Sequence, residues 1–258
     1  MATGSRLAIS RLAAFRDNYI WLLDDGRAAV VVDPGEAAPV LAALAERRLE
    51  LAAILITHHH ADHQGGVAEL LAAWPQVAVY APQQETVAGC NRPVQGGETL
   101  ILLGGEFSVL AVPGHTRGHL AYWHAGALFC GDTLFGAGCG RLFEGTPEQM
   151  AGSLARIAAL PETTLIYCAH EYTEANLRFA AAVETDNPAL TERCARVAEL
   201  RARGEASVPS TLAEEKATNP FLRCQVPAVI AAARRQDATV DGSPTAVFAA
   251  LRTWRNVF

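Results

Sequence analysis

The densest chemistry in the chain is Thr57-His58-His59-His60-Ala61-Asp62-His63, with five ligand-type side chains in six positions. It follows directly on the apolar run LAAILI (51–56), which reads as a buried strand delivering its ligands into a loop. In an extended stretch His58 and His60 project to the same side. Asp62 and His63 come as the chain turns toward Gly65-Gly66. A solvated polar loop is the plain alternative, but it does not explain so many ligand types packed behind one strand. Three later stretches have the same form. Pro113-Gly114-His115-Thr116 follows FSVLAV, Cys130-Gly131-Asp132-Thr133 follows ALF, and Ala169-His170-Glu171-Tyr172 follows TLIYC. Each sets one His or Asp at the end of a strand-like run, where loops on a rigid scaffold assemble sites. Imidazoles and carboxylates without cysteine suit an open catalytic metal site rather than a closed structural zinc.

The elements that must position these residues alternate over the first 170 positions. Strand-like runs are NYIWLLDD (18–25), AAVVVDP (28–34), LAAILIT (51–57), VAVYAP (77–82), LILL (100–103), FSVLAVP (107–113) and TLIYCAH (164–170). LAYWHAGALFCGD (120–132) reads as a hairpin turning near Ala125-Gly126, and Gly104-Gly105 marks another tight turn. Helical patterns fall at about 36–48, 63–73 and 147–160. The last opens with Thr146, Pro147 and Gln149, a capping box with proline in the first turn. This mixture predicts two mixed sheets sandwiched between helices. From about 171 only helical patterns remain, at 173–183, 188–203, 211–217, 227–236 and 245–256, with Thr211 and Glu214 reading as a second capping box. The expected division is a catalytic domain over 1–170 and a helical domain over 171–258.

Charge narrows the function classes. Residues 1–170 carry 10 basic and 16 acidic side chains and residues 171–258 carry 11 of each, so the whole net charge of −6 lies with the candidate ligands. A nucleic-acid footprint needs a basic stripe, and there is none. Six cysteines are scattered without a CxxC pair, which fits reduced thiols in the cytoplasm. The N-terminal MATGSRLAISRLAAF lacks the apolar core of a leader, and no run is long enough to span a membrane.

The order HxHxDH, then His, then Asp, then His resembles the metallo-β-lactamase superfamily. That resemblance implies an αββα sandwich in an α/β fold, here followed by a C-terminal α-helical domain. It also implies two divalent metal ions per chain, zinc in the first instance, with iron or manganese accepted by the same ligands. His58, His60 and His115 would hold one, Asp62, His63 and His170 the other, and Asp132 would bridge them. A water shared by two such cations has its pKa lowered from about 15.7 towards about 7. Asp62 would also help orient that hydroxide, which makes Asp62 and Asp132 the catalytic residues. His59 would point away, His119 in the GHTxGH pattern would pack or support, and His124 at its hairpin turn would be solvated.

Three further stretches are similar to the glyoxalase II family: Gly138-Cys139-Gly140-Arg141-Leu142-Phe143, Cys168-Ala169-His170-Glu171-Tyr172-Thr173, and a helical tail with Asn219-Pro220-Phe221-Leu222-Arg223 and Leu251-Arg252-Thr253-Trp254-Arg255. This implies a monomeric thioesterase for a small-molecule glutathione thioester, S-D-lactoylglutathione, cleaved to D-lactate and glutathione by the metal-bridging hydroxide. Arg141, Arg252 and Arg255 would clamp glutathione carboxylates, with Tyr172 and Phe143 beside them. Phe143 stands where some relatives carry Tyr, so a hydroxyl contact is lost there. Arg252 and Arg255 are three apart and share a face on a helix; read without the family, they could equally be a solvated helix end. The rival readings are a mononuclear glutathione persulfide dioxygenase, another hydrolase of the same fold, and a non-catalytic metal-binding module.

Overall fold

The computed structural model describes residues 7–258, which fall into two compact units. Residues 1–6, part of the stretch read above for a leader, lie outside the described residues. The first unit comprises the chain up to Ala111 together with Thr116–Gly131; the second comprises Val112–His115 and Asp132–Phe258.

In the first unit, β1 (Ala8–Ala14), β2 (Asn18–Asp24), β3 (Ala28–Val32), α1 (Ala37–Arg47), β4 (Glu50–Leu55), α2 (Ala61–Gln64), α3 (Val67–Ala73), β5 (Ala78–Pro82) and β6 (Arg92–Val94) follow in order. The strands form one sheet in sequence order, antiparallel from β1 to β3 and parallel from β3 to β6. Parallel strands are covered on both faces, which is why β3 reads as an unbroken apolar run. Val40 and Leu44 of α1 and Val67 and Leu70 of α3 pack with Ile20, Leu22, Val31, Ile54 and Val79. Each such side chain contributes about 1.5–3 kcal/mol on burial. A second, antiparallel meander follows: β7 (Thr99–Leu102), β8 (Gly105–Ala111), β9 (Leu120–His124) and β10 (Ala127–Gly131). Tyr122 on β9 donates its hydroxyl to the Ile56 carbonyl beyond β4, 2.8 Å away, tying this layer to the first sheet.

In the second unit, β11 (Leu134–Phe135) and β12 (Gly138–Cys139) form a small hairpin, followed by α4 (Pro147–Ala158) and β13 (Leu165–Cys168). Then come α5 (Thr173–Val183), α6 (Pro188–Ala202), β14 (Ser210–Thr211), α7 (Leu212–Thr218), a 3-10 turn (Pro220–Leu222), α8 (Pro227–Gln236) and α9 (Pro244–Val257). The Thr146–Gln149 capping box is present, and Asn187 and Ser243 cap α6 and α9. Phe179 of α5 meets Phe221, Trp254 and Phe258 at 5.0–5.9 Å, an aromatic core beneath α9. Among the described residues no helix is long and apolar enough to cross a membrane.

Four expectations are corrected. The helix expected at 63–73 breaks after Gln64, because Gly66 donates to the Pro34 carbonyl (2.9 Å) and the chain docks on the β3–α1 loop. β1 escaped notice because it is an edge strand, mostly exposed or half-buried, with Ser10 and Arg11 interrupting its apolar signal. At Thr211 only half the capping box forms: its hydroxyl accepts from Glu214 N, but the Glu214 carboxylate turns to Arg193 and Arg196. His124 is not solvated; it is buried, stacks on Phe107 at 4.3 Å and pairs through Nδ1 with the Glu106 carbonyl.

Candidate metal centre

In the first unit the histidine-rich loop leaves the C-terminal end of β4, in the middle of its sheet. Its organiser is Asp33, at the end of β3, buried and unforeseen from the sequence. One Asp33 oxygen accepts Thr57 N at 2.7 Å; the other accepts Thr57 Oγ1 at 2.7 Å and His63 Nδ1 at 3.0 Å. A carboxylate only accepts, so His63 carries its proton on Nδ1 and presents the lone pair of Nε2. The Thr57 hydroxyl, having given its hydrogen to Asp33, accepts from His58 Nδ1 at 3.0 Å. His58 thereby also presents Nε2, which lies 3.1 Å from His60 Nδ1. Two imidazole nitrogens that close share one proton or one cation. Asp62 Oδ2 lies 3.5 Å from His63 Nε2 and accepts from Asn18 Nδ2 at 3.0 Å. Gly35 makes room for this arrangement: a Cβ there would fall 2.0 Å from the Asp62 carbonyl oxygen. His58 and His63 are fully buried, while Asp62 is partly open. Of the histidines outside the candidate ligand set besides His124, His119 stacks on His58 at 4.6 Å, a packing role as expected, and His59 is half-buried.

In the second unit His115, Asp132 and His170 are all buried. Asp132 turns one oxygen to each imidazole: Oδ2 lies 3.4 Å from His115 Nε2 and Oδ1 lies 3.3 Å from His170 Nε2. His115 Nδ1 donates to the Arg141 carbonyl at 2.8 Å, which again leaves Nε2 as the lone-pair nitrogen. His170 is held by Tyr172, stacked at 4.7 Å with the rings nearly parallel, and by the edge of Phe135. In both units, then, hydrogen bonds to the outer ring nitrogens fix tautomers that suit metal ligation, and the donor set is imidazole and carboxylate. The residues fit divalent cations.

Beside His115 and Asp132 opens a cleft of about 290 Å³ lined by Arg141, Phe143, Tyr172, Arg252 and Arg255. Arg252 is 7% exposed, which excludes the solvated helix end. Its Nη1 donates to the Cys139 carbonyl at 2.9 Å, its Nη2 to Asn256 at 3.2 Å, and its plane lies over Phe221. Its buried Nε has no hydrogen-bond partner among the described residues. Arg255 reaches Asn176 at 3.4 Å. Burial, and then the charges of Arg252, Arg178 and Arg141, push the Arg255 guanidinium below its usual pKa. No carboxylate pairs with Arg141, Arg252 or Arg255 among the described residues, so the cleft calls for an anion. Phe143 is exposed, meets His115 edge-on and carries Arg141 over its ring. The hairpin that floors the cleft is tied down by Asn219, whose amide donates to the carbonyls of Phe135 and Gly138.

A family model described as the metallo-beta-lactamase superfamily matches residues 14–170, and one described as the hydroxyacylglutathione hydrolase C-terminus matches residues 171–258. A hydroxyacylglutathione hydrolase of Dechloromonas aromatica (strain RCB) is 63% identical over 98% of this chain and 100% of its own length. The chain belongs to the hydroxyacylglutathione hydrolase family. Another hydroxyacylglutathione hydrolase, from Alkalilimnicola ehrlichii, is 57% identical over 96% of this chain and 98% of its own. Among solved structures, that of TTHA1623 in a di-iron-bound form is 30% identical with a TM-score of 0.53, covering 63% of this chain and 91% of that one. The α/β sandwich and C-terminal helical region expected from the sequence are thus those of this hydrolase family, and the dioxygenase reading is not favoured.

Proposed function

We propose that this hydroxyacylglutathione hydrolase family member cleaves the thioester of S-D-lactoylglutathione, yielding D-lactate and glutathione. The observation that carries the reading is the guanidinium cleft: three arginines, none paired with a carboxylate among the described residues, lining one cleft with His115 and Asp132. Glutathione conjugates carry carboxylates, and guanidinium forks grip these bidentately. The relatives' name supplies the acyl class.

His58, His60 and His115 are assigned to one divalent cation, Asp62, His63 and His170 to a second, and Asp132 to both; zinc is the expected metal, with iron or manganese taking the same ligands. Bound there, such a pair supplies an acidified water and Lewis-acid polarisation of a carbonyl. The chain's own residues do the rest. Asp132, facing a histidine with each oxygen, keeps the two sets in register. Asp62, partly open and anchored by Asn18, accepts a proton-bearing hydrogen bond that aims the attacking water. Arg141, Arg252 and Arg255 hold the glutathione carboxylates, with Tyr172 and Phe143 beside them. A thiol is comparatively acidic, with a pKa of about 8.5, so no side chain has to protonate the departing sulfur. Residues 1–170 are read as the catalytic domain and 171–258 as the substrate-binding domain of a cytoplasmic monomer.

The test is steady-state kinetics of a variant with Arg252→Ala and Arg255→Ala, on lactoylglutathione and on a lactoyl thioester lacking the glutathione carboxylates. Two charge-assisted contacts at about 1.5–3 kcal/mol each predict a KM rise of roughly a hundredfold or more on lactoylglutathione. The short thioester should be indifferent. An unchanged KM for lactoylglutathione would remove the substrate assignment.

A further inference from the structure

Glu85 lies in the loop between β5 and β6, outside every motif read from the sequence. Its carboxylate accepts three hydrogen bonds from two separate stretches. His59 N donates to Oε2 at 2.7 Å; Thr116 Oγ1 and Gly118 N donate to Oε1 at 2.5 and 2.9 Å. His59 sits between His58 and His60, and Thr116 directly follows His115. The fit is close: a Cβ at Gly118 would fall 2.6 Å from Glu85 Cγ, so the 116–118 turn can close on the carboxylate only with glycine there. The His59 peptide is held from its other side as well. Gln64 Nε2 donates to the His59 carbonyl, and Gln64 Oε1 accepts from Ala88 N in the same loop as Glu85. All three partners of Glu85 are donors, and two of them are backbone amides that cannot rotate away. Only an acceptor-only group satisfies all three at once.

We propose that Glu85 is a positioning residue for the cation assigned to His58, His60 and His115, a single carboxylate that fixes the His59 peptide against the 116–118 turn. This rests on the reading of those three histidines as ligands of one cation. Glu85 itself touches neither metal nor substrate. Its effect is to stop the two stretches from drifting apart when the cation's charge and the water around it compete for their backbone. Outer partners of this kind typically change metal affinity or activity roughly 10–100-fold.

Two variants test it. Glu85→Gln keeps size and shape but sets an amide NH2 against either His59 N–H or the Thr116 and Gly118 pair. Thr116→Val removes one donor and leaves Glu85 in place, so it stays informative if the first variant folds poorly. The metal-loaded protein is dialysed against a graded series of chelator, metal per chain is measured at each step, and kcat and KM are measured on lactoylglutathione. The expected result is that Glu85→Gln releases one of two metals at roughly 10–100-fold lower chelator. Its kcat should fall with KM close to unchanged; Thr116→Val should shift the same way by less, and Glu85→Asp should fall between wild type and Glu85→Gln. Both metals retained at wild-type chelator resistance in both variants would overturn the proposal, as would a loss confined to KM. Wild-type protein that holds no metal would overturn the ligand reading itself, a result distinct from either.

Discussion

The two ligand groups are built in different ways. In the first unit four candidate ligands come from one short loop behind β4, and the residues that steady them are polar side chains: Asp33 on Thr57 and His63, Asn18 on Asp62. In the second unit three candidate ligands, His115, Asp132 and His170, come from stretches far apart in sequence. What steadies them is a backbone carbonyl on His115 and aromatic rings on His170. A loop of charged and polar groups crowded at a strand end needs a carboxylate to order its donors. Ligands at the ends of separate elements are already placed by those elements and need only have their rings held. The first group is therefore vulnerable to changes in its support, while the second is vulnerable mainly at the ligands themselves.

The largest effect is expected in the second unit, at Asp132→Ala. That change removes the carboxylate that faces both His115 and His170, and activity should fall by more than the roughly 10–100-fold typical of an outer-shell loss. Turnover of lactoylglutathione and metal per chain measure it; near-normal values would break the comparison at its second term. Next comes Asp33→Asn, which places an amide NH2 against Thr57 or His63 donors. Metal affinity should drop roughly 10–100-fold, and stability to denaturant should drop by about 1–3 kcal/mol for the buried donors left unpaired. The smallest effect is expected at Tyr172→Phe, which keeps the ring on His170 and deletes only a hydroxyl. Metal content should be unchanged and KM should rise by about 2–10-fold, the worth of one neutral hydrogen bond at 0.5–1.5 kcal/mol. A metal loss there as large as that of Asp33→Asn would erase the distinction between the two kinds of support.

The same contrast explains what could be read in the amino-acid sequence. The candidate ligands stand out in the sequence because their types are rare in combination and each group follows an apolar run. The strands β2 to β5 and the helices α4 to α9 were legible from their periodicity, helped at α4 by its capping box. The supports were not. Asp33 sits in VVVDPG as an ordinary strand-end acid, and only the fold brings it to Thr57 and His63. Asn18 and Glu85 act across the chain on backbone and side chains that no spacing links to them. His124 misled because a histidine next to a turn usually faces water, whereas here the β8 neighbour Phe107 covers it. The anion cleft was half legible: Arg252 and Arg255 are three apart, but spacing cannot tell a solvated helix end from a buried clamp. The aromatic bed under α9, which buries Arg252 over Phe221, rules out the solvated end.

Thioester cleavage is proposed to depend on a pair of metals held by these imidazole and carboxylate groups. The direct measurement is metal content and lactoylglutathione hydrolysis on one preparation, before chelation, after it, and after metal is restored. The account predicts close to two metals per chain, activity lost in step with them, and recovery on adding zinc, iron or manganese. Full activity in protein stripped of metal would contradict it.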